Sequence, residues 1–226
     1  LFIDDGTNKV LYVAPYGEIV RLRPGDHSLQ LYNNDTEYIV FDDMNSFASA
    51  KATTRTRTRA SYGGNPYMEN TVENTVNAPD MLYGNYMENY TAERKTETDE
   101  LPVTMHPLVF TYLVRYEFSH GLEYVALARG ALAGMAGAVW LNSGRTSEEA
   151  VTILYDCSVE DFGAQACVHS FGIPDYPNEH YTARAERRYG LNLEVRLKNG
   201  KVKSFDFEVT DQVAVQPQGG VIVVSG

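Results

Sequence analysis

The stretch Leu191-Asn-Leu-Glu-Val-Arg-Leu-Lys198 alternates apolar and polar residues without a break. Side chains on a strand alternate between faces with period two, so Leu191, Leu193, Val195 and Leu197 share one face and the polar residues meet water. A helix would spread the same residues around its circumference. Asn199-Gly200 follows at once, a pair suited to hairpin positions that need positive φ. The chain is expected to return over Lys201 to Val209, with Val202 opposite Leu197 across a two-residue turn. On that register Phe205, Phe207 and Val209 have the opposite parity from Val202. A bulge near Lys203-Ser204 is expected to turn them back to the core.

Further short strands are expected over Val10–Ala14, Ile19–Arg23, Ser28–Asn33, Tyr38–Phe41, Leu108–Phe118, Tyr124–Leu132, Gly137–Leu141, Val151–Asp156, Ala166–Phe171 and Gly220–Val224. Pro24-Gly25-Asp26 and Asn33-Asn34-Asp35 punctuate them as turns. No long stretch keeps a helical period, and Ser147–Ala150 has room for one short helical turn at most. The 16 tyrosines, with many Thr and Val, favour strands. The fold class expected is all-β, built as a sandwich. Residues 61–99 are polar, with Pro66–Asn70 partly repeated at Tyr86–Asn89. Thr91 to Glu100 is charged and nearly free of apolar residues, and reads as a linker. Two domains are therefore expected, 1–100, lacking its first strand, and 101–226.

The chain of 226 residues carries a net charge of -11. Such an acidic surface repels phosphate backbones, so nucleic acid is a poor partner. The run Val125 to Leu141 is interrupted by Arg129 and rich in glycine, too short to span a bilayer. The chain begins at Leu1 with no export signal, as expected of a soluble mature fragment. Cys157 and Cys167 are the two cysteines. Their spacing excludes a Cys-x-x-Cys metal or redox pair. It suits facing positions of a hairpin, which leaves two readings open: a disulfide in an oxidising compartment, or two buried free thiols.

Several polar clusters invite functional readings. Lys51-Ala-Thr-Thr-Arg-Thr-Arg-Thr-Arg59, as a strand, puts Thr54, Thr56 and Thr58 on one face and Arg55, Arg57 and Arg59 on the other. With both faces polar it is expected to be a charged edge strand rather than a central one, guarding against edge-to-edge pairing. An anionic-ligand site or protease target is the functional alternative. Asp4-Asp5-Gly6-Thr7-Asn8 and Asp42-Asp43-Met44-Asn45 lack the spacing of a calcium loop and read as tight turns. His27, His106, His120, His169 and His180 form no metal-ligating motif. Cys167 and His169 fall on one strand face without a third partner. Gly130 to Gly137 contains Gly-x-x-x-Gly, which outside a membrane marks a bend or close strand packing. No catalytic, cofactor-binding or metal residues are assigned, and no cofactor is expected.

The segment Leu22–Glu37, ending Asn33-Asn-Asp-Thr-Glu37, resembles a stretch of the fimbrillin-like proteins of Bacteroidales, which include fimbrial anchor proteins and an allied family of unknown function. Leu132-Ala-Gly-Met-Ala-Gly-Ala-Val139 is similar to their Ser-Gly-Met-Ala-Gly segment. Phe171-Gly172, the hairpin Leu191–Val209 and the ending Val209-Thr-Asp-Gln-Val213 follow in the same order. The resemblance implies two tandem transthyretin-like (Greek-key) β-sandwich domains and a non-enzymatic fimbrial anchor, stalk or tip subunit. It implies assembly with other fimbrial subunits by β-strand addition, and adhesion to a host or bacterial surface ligand. It also implies attachment to the outer membrane through an N-terminal lipid absent from this chain. The alternative function is a surface carbohydrate- or protein-binding lipoprotein module, which 16 tyrosines would suit.

Overall fold

The computed structural model describes residues 1–4, 9–11, 19–58, 73–177 and 187–226. The turn at Asp5–Asn8, the strand expected beyond Leu11, Arg59, the Pro66–Asn70 copy and His180 lie outside them. The first part holds β1 (Phe2–Asp4), β2 (Lys9–Leu11), β3 (Gly25–Tyr32), β4 (Ile39–Asp42), β5 (Lys51–Thr54), β6 (Asn74–Asn77) and β7 (Tyr83–Ala92). Then come β8 (His106–Pro107), β9 (Phe110–Glu117), β10 (Val125–Ala136), β11 (Ala138–Trp140), β12 (Ala150–Glu160) and β13 (Gly163–Ser170). The chain closes with β14 (Gly190–Leu197), β15 (Val202–Glu208), the short helix α1 (Thr210–Ala214) and β16 (Gly220–Ser225).

The architecture is mostly β, with one strongly curled half-barrel sheet and two small sheets. The large sheet runs β15-β14-β10-β12-β13-β9-β16, with β6 added beside β12. The small sheets run β2-β1-β3-β7-β8 and β11-β5-β4. This pairing does not show the two tandem transthyretin-like sandwiches that were expected. Three pairings join strands on either side of position 100: β5 with β11, β6 with β12 and β7 with β8. Period-two alternation marks a strand but not its partner, so such long-range pairing is invisible in sequence.

Two apolar clusters fill the interior. The larger lies within the curled sheet and includes Tyr112, Tyr116, Leu132, Met135, Ile153, Leu191 and Ile222. The smaller, with Ile39, Ala52, Leu82, Val139 and Phe171, lies against the three-stranded sheet. β10 serves both. Its register with β12 shifts between Leu132 and Met135, where Gly134 has φ 88°. The strand therefore bends, sending Leu132 and Met135 to one cluster and Ala136 to the other. Gly130, earlier on the same strand, lies so close to the Tyr155 ring that a Cβ there would sit 2.1 Å from Cε2. The small-residue run thus supplies both the bend and the close packing expected of it.

Several expectations need correction. Residues 19–23 form no strand, and Ile19 is exposed. Ser147–Ala150 holds no helical turn. Lys51–Thr54 is the middle strand of its sheet, not an edge. Its inward residues are small: Ala52 is buried, and the Thr54 hydroxyl donates to Tyr38 O (3.3 Å) and Asn77 O (3.1 Å). A threonine satisfied in this way is buried at little cost. The β14–β15 hairpin also differs in its turn. Val202 lies opposite Arg196, not Leu197, and the ladder runs from Gly190↔Glu208 without a shift. Leu197 N donates to Lys201 O and Gly200 N to Leu197 O, with Gly200 at φ 83°. The extra residue sits in the turn, and no bulge is needed at Lys203-Ser204 to aim Phe205 and Phe207 inward.

The motif Asn33–Glu37 is a brace between chain segments. Asn33 Nδ2 donates to Asp35 Oδ1 (2.8 Å) and Met81 O (3.1 Å), while Tyr83 N donates to Asn33 Oδ1 (2.7 Å). The Asp80 carboxylate accepts three successive backbone N–H groups, from Glu37, Tyr38 and Ile39. Charge-assisted bonds of this kind fix the entry to β4.

Candidate functional site

The curled sheet does not close, because among the described residues β15 and β16 each pair with one neighbour only. Between them opens a groove of about 550 Å³. Leu193, Val195 and Leu197 of β14 and Phe205 and Phe207 of β15 form one wall, and Tyr116 of β9 and Val224 of β16 form the other. Strict alternation on β14 aims its three apolar residues the same way, and the turn at Gly200 brings Phe205 opposite Leu193 and Phe207 opposite Leu191. Lys198, Lys203, His120 and Glu117 stand among the groove's lining. Phe205 is 43% exposed although it faces inward, because the groove is open.

The floor is held by a buried hydroxyl pair. Tyr116 Oη and Tyr155 Oη lie 2.7 Å apart, and Tyr116 also donates to Asn192 O at 3.3 Å. Burial holds both phenols well above their ordinary pKa, so both stay neutral donors.

The two edges of the groove differ. On β15, Leu197 N donates to Lys201 O and Val209 N to Tyr189 O. With an unshifted ladder, the odd-numbered residues therefore bond β14. The backbone groups of Val202, Ser204, Asp206 and Glu208 point outward. On β16 the outward groups are already taken by side chains. Gln212 Nε2 donates to Val223 O (2.9 Å), and Val223 N donates to Gln212 Oε1 (2.9 Å). Gln216 Nε2 donates to Val221 O (3.0 Å), and Val221 N donates to Gln216 Oε1 (2.7 Å). Each amide stands in for one residue of a neighbouring strand.

The polar clusters singled out by sequence do not gather here. Asp42 closes β4 and Asp43, at φ 52°, leads into the turn at Met44-Asn45, with Asp43 N donating to Asp42 Oδ1 (2.9 Å) and Lys51 Nζ 3.5 Å from Asp42 Oδ2. Arg57 donates to Leu154 O (3.1 Å) and pairs with Asp156 (3.3 Å), a structural tie across strands. Among the described residues no group of three or more His, Cys, Asp or Glu is placed to hold a metal. No described helix is long and apolar enough to cross a membrane.

Cys157 and Cys167 are free thiols. The register Ser158↔Gln165 sets Cys157 beside Ala166 and Asp156 beside Cys167, so the two sulfurs leave opposite faces of the ladder. Cys157 packs against the large cluster while Cys167 is exposed, on the face it shares with His169. Burial, reinforced by Asp156, pushes the Cys157 thiol up to about 12. A chromogenic disulfide reagent at pH 8 is expected to modify Cys167 alone in the native protein, with Cys157 reacting only after unfolding. Absence of both thiols from the unreduced, denatured chain would reject this arrangement.

The fold and groove define a β-rich protein with an unclosed half-barrel. The family model described as "Domain of unknown function (DUF5119)" matches residues 1–156, and the chain belongs to that family. The match ends within β12, before the β14–β15 hairpin that forms one wall of the groove. Among solved structures, a candidate adhesin from Bacteroides ovatus ATCC 8483 is similar, with TM-score 0.67 and 22% identity, covering 90% of this chain and 76% of that one. A second candidate adhesin from Bacteroides ovatus gives TM-score 0.47 and 8% identity over 90% of this chain and 69% of that one. No curated protein matches.

Proposed function

We propose that this chain is a non-enzymatic, cell-surface component of a fimbria-like filament, of the fimbrillin-like kind, which joins its neighbours by β-strand addition and contributes to adhesion. The observation that carries this reading is the open groove: an apolar trough beside a strand edge whose outward backbone groups have no strand partner among the described residues. Such an edge is what an extended segment of another subunit pairs with, the main chain giving affinity and the trough giving specificity. The likeness to a candidate adhesin of known structure supports a place at the cell surface. An anchor, stalk or tip role and a lipid attachment to the outer membrane belong to the same reading.

A second reading is supported by Tyr83 and Tyr86, which stand exposed on β7. Exposed aromatics suit a carbohydrate- or protein-binding surface module. Immunogold electron microscopy of intact source cells with antibody against this chain separates the two. Label along or at the ends of filaments supports the filament component. Label on the bare outer membrane, unchanged after filaments are sheared away, rejects it in favour of the binding module.

A further inference from the structure

The segment Asp99–Met105 lies in no strand, and it precedes β8 in the sequence. Its sequence is Asp-Glu-Leu-Pro-Val-Thr-Met, apolar at 101, 103 and 105. Leu101 is 44% and Met105 37% exposed, and one side-chain bond, Asn85 Nδ2 to Thr104 O at 2.6 Å, holds the stretch to β7. Large apolar side chains at alternate positions of an unpaired stretch have the pattern of a strand without a sheet. Seven residues is also the length of β15.

We propose that the groove beside β15 accepts the Asp99–Met105 segment of a second copy of this chain as an added parallel strand. This rests on the strand-adding reading above and names the donor, the accepting edge and the polarity. Two independent features agree on parallel pairing. The outward backbone groups of β15 belong to residues whose side chains point away from the groove. In a parallel pair, the donor residues that bond such an edge carry side chains of the opposite facing, into the groove. Leu101, Val103 and Met105 then bond β15 and fill the trough. Pro102, which has no N–H to give, falls on the far side.

That far side faces β16, whose edge is already satisfied by Gln212 and Gln216 and asks for no partner. Charge gives the second agreement on polarity. Parallel entry brings Asp99 and Glu100 to the start of β15, near Lys198, Lys201 and Lys203. It brings His106 towards Glu208 at the other end. Antiparallel entry would set the acidic end against Asp206 and Glu208.

Donor and acceptor are different surfaces: the donor connects β7 and β8 of the five-stranded sheet, and the accepting edge belongs to the large sheet. An interface of this kind is heterologous, and unless its rotation closes a ring it propagates as an open chain.

Sedimentation velocity on the intact chain and two variants tests the assignment. Val103→Asp spoils the donor. Ser204→Pro removes one outward N–H in the middle of β15 while leaving its ladder to β14, a place where an edge strand tolerates proline. Circular dichroism melting confirms that each variant is folded. The wild type is expected to associate with rising concentration, and each variant alone to stay monomeric. An equal mixture, with one intact surface from each variant, is expected to form dimers and nothing larger. A labelled Glu97–Met105 peptide is expected to bind the wild type and bind Ser204→Pro at least about tenfold more weakly. Association of Val103→Asp equal to wild type overturns this donor but leaves the groove as an acceptor. Association of Ser204→Pro equal to wild type overturns β15 as the acceptor, and the strand-adding reading of the groove with it. A wild type that stays monomeric and ignores the peptide up to about millimolar concentration overturns the pairing of these two segments.

Discussion

Gly163→Ala is expected to lower stability by about 3 kcal/mol, the largest effect of any single-methyl addition considered in this fold. Gly163 opens β13 after the tight turn from β12 and lies opposite Glu117 of β9. Its φ is 149°, which a side chain disfavours. A Cβ would meet Tyr116 O at 2.0 Å and Phe118 Cδ1 at 2.9 Å. A backbone oxygen inside a ladder cannot rotate away, so relief requires β9 to part from β13. Tyr116 lines the groove, and the displacement reaches the site. Chemical denaturation of the variant checks the expectation, and a loss below about 0.5 kcal/mol would show that the ladder yields more easily than its pairing implies.

The second large effect is a coupling. Gly130→Ala places a methyl group 2.1 Å from the Tyr155 ring, which is buried and tied through its hydroxyl to Tyr116. The ring cannot swing aside without breaking that pair. A cost of about 2–3 kcal/mol is expected in the wild-type background. Tyr155→Leu removes the ring and its hydroxyl, at a cost of its own, and leaves Tyr116 bonded to Asn192 O. In that background the added methyl is expected to cost less than about 1 kcal/mol, an interaction energy that a double-mutant cycle isolates. Additive costs would place the strain of Gly130 somewhere other than against Tyr155.

Much of the strand content was legible in the sequence, and its limits have physical causes. The alternation of Leu191–Lys198 and the Asn-Gly turn located β14 and β15, because burial on one face imposes period two. β9, β10, β12 and β13 were also found, β9 drawn too long at both ends and β10, β12 and β13 short by several residues. β7 was missed. Along Tyr83–Ala92 only Gly84 is buried, so no apolar face marks the strand. β5 was found but misplaced as an edge, since Thr54 satisfies its hydroxyl with backbone carbonyls that no local pattern reveals.

The groove was out of reach because its walls come from residues 116–125, 193–207 and 224–226, which only the curl of the sheet brings together. The disulfide alternative turned on a single step of register. Pairing Ser158 with Gln165 sends the two sulfurs apart, where a shift of one residue would have set them face to face. The glutamines that cap β16 carry no signature, since a half-buried glutamine near a helix end is ordinary.

The bend in β10 bears on how the molecule fails. One continuous strand supplies Leu132 and Met135 to one apolar cluster and Ala136 to the other, across the glycine at 134. Neither cluster can melt while the other keeps its half of that strand in place. The two regions are therefore expected to share a single cooperative transition instead of letting go in sequence. Tension applied to one end is then expected to be resisted by the whole fold, so that the yield point belongs to the body rather than to its weakest part.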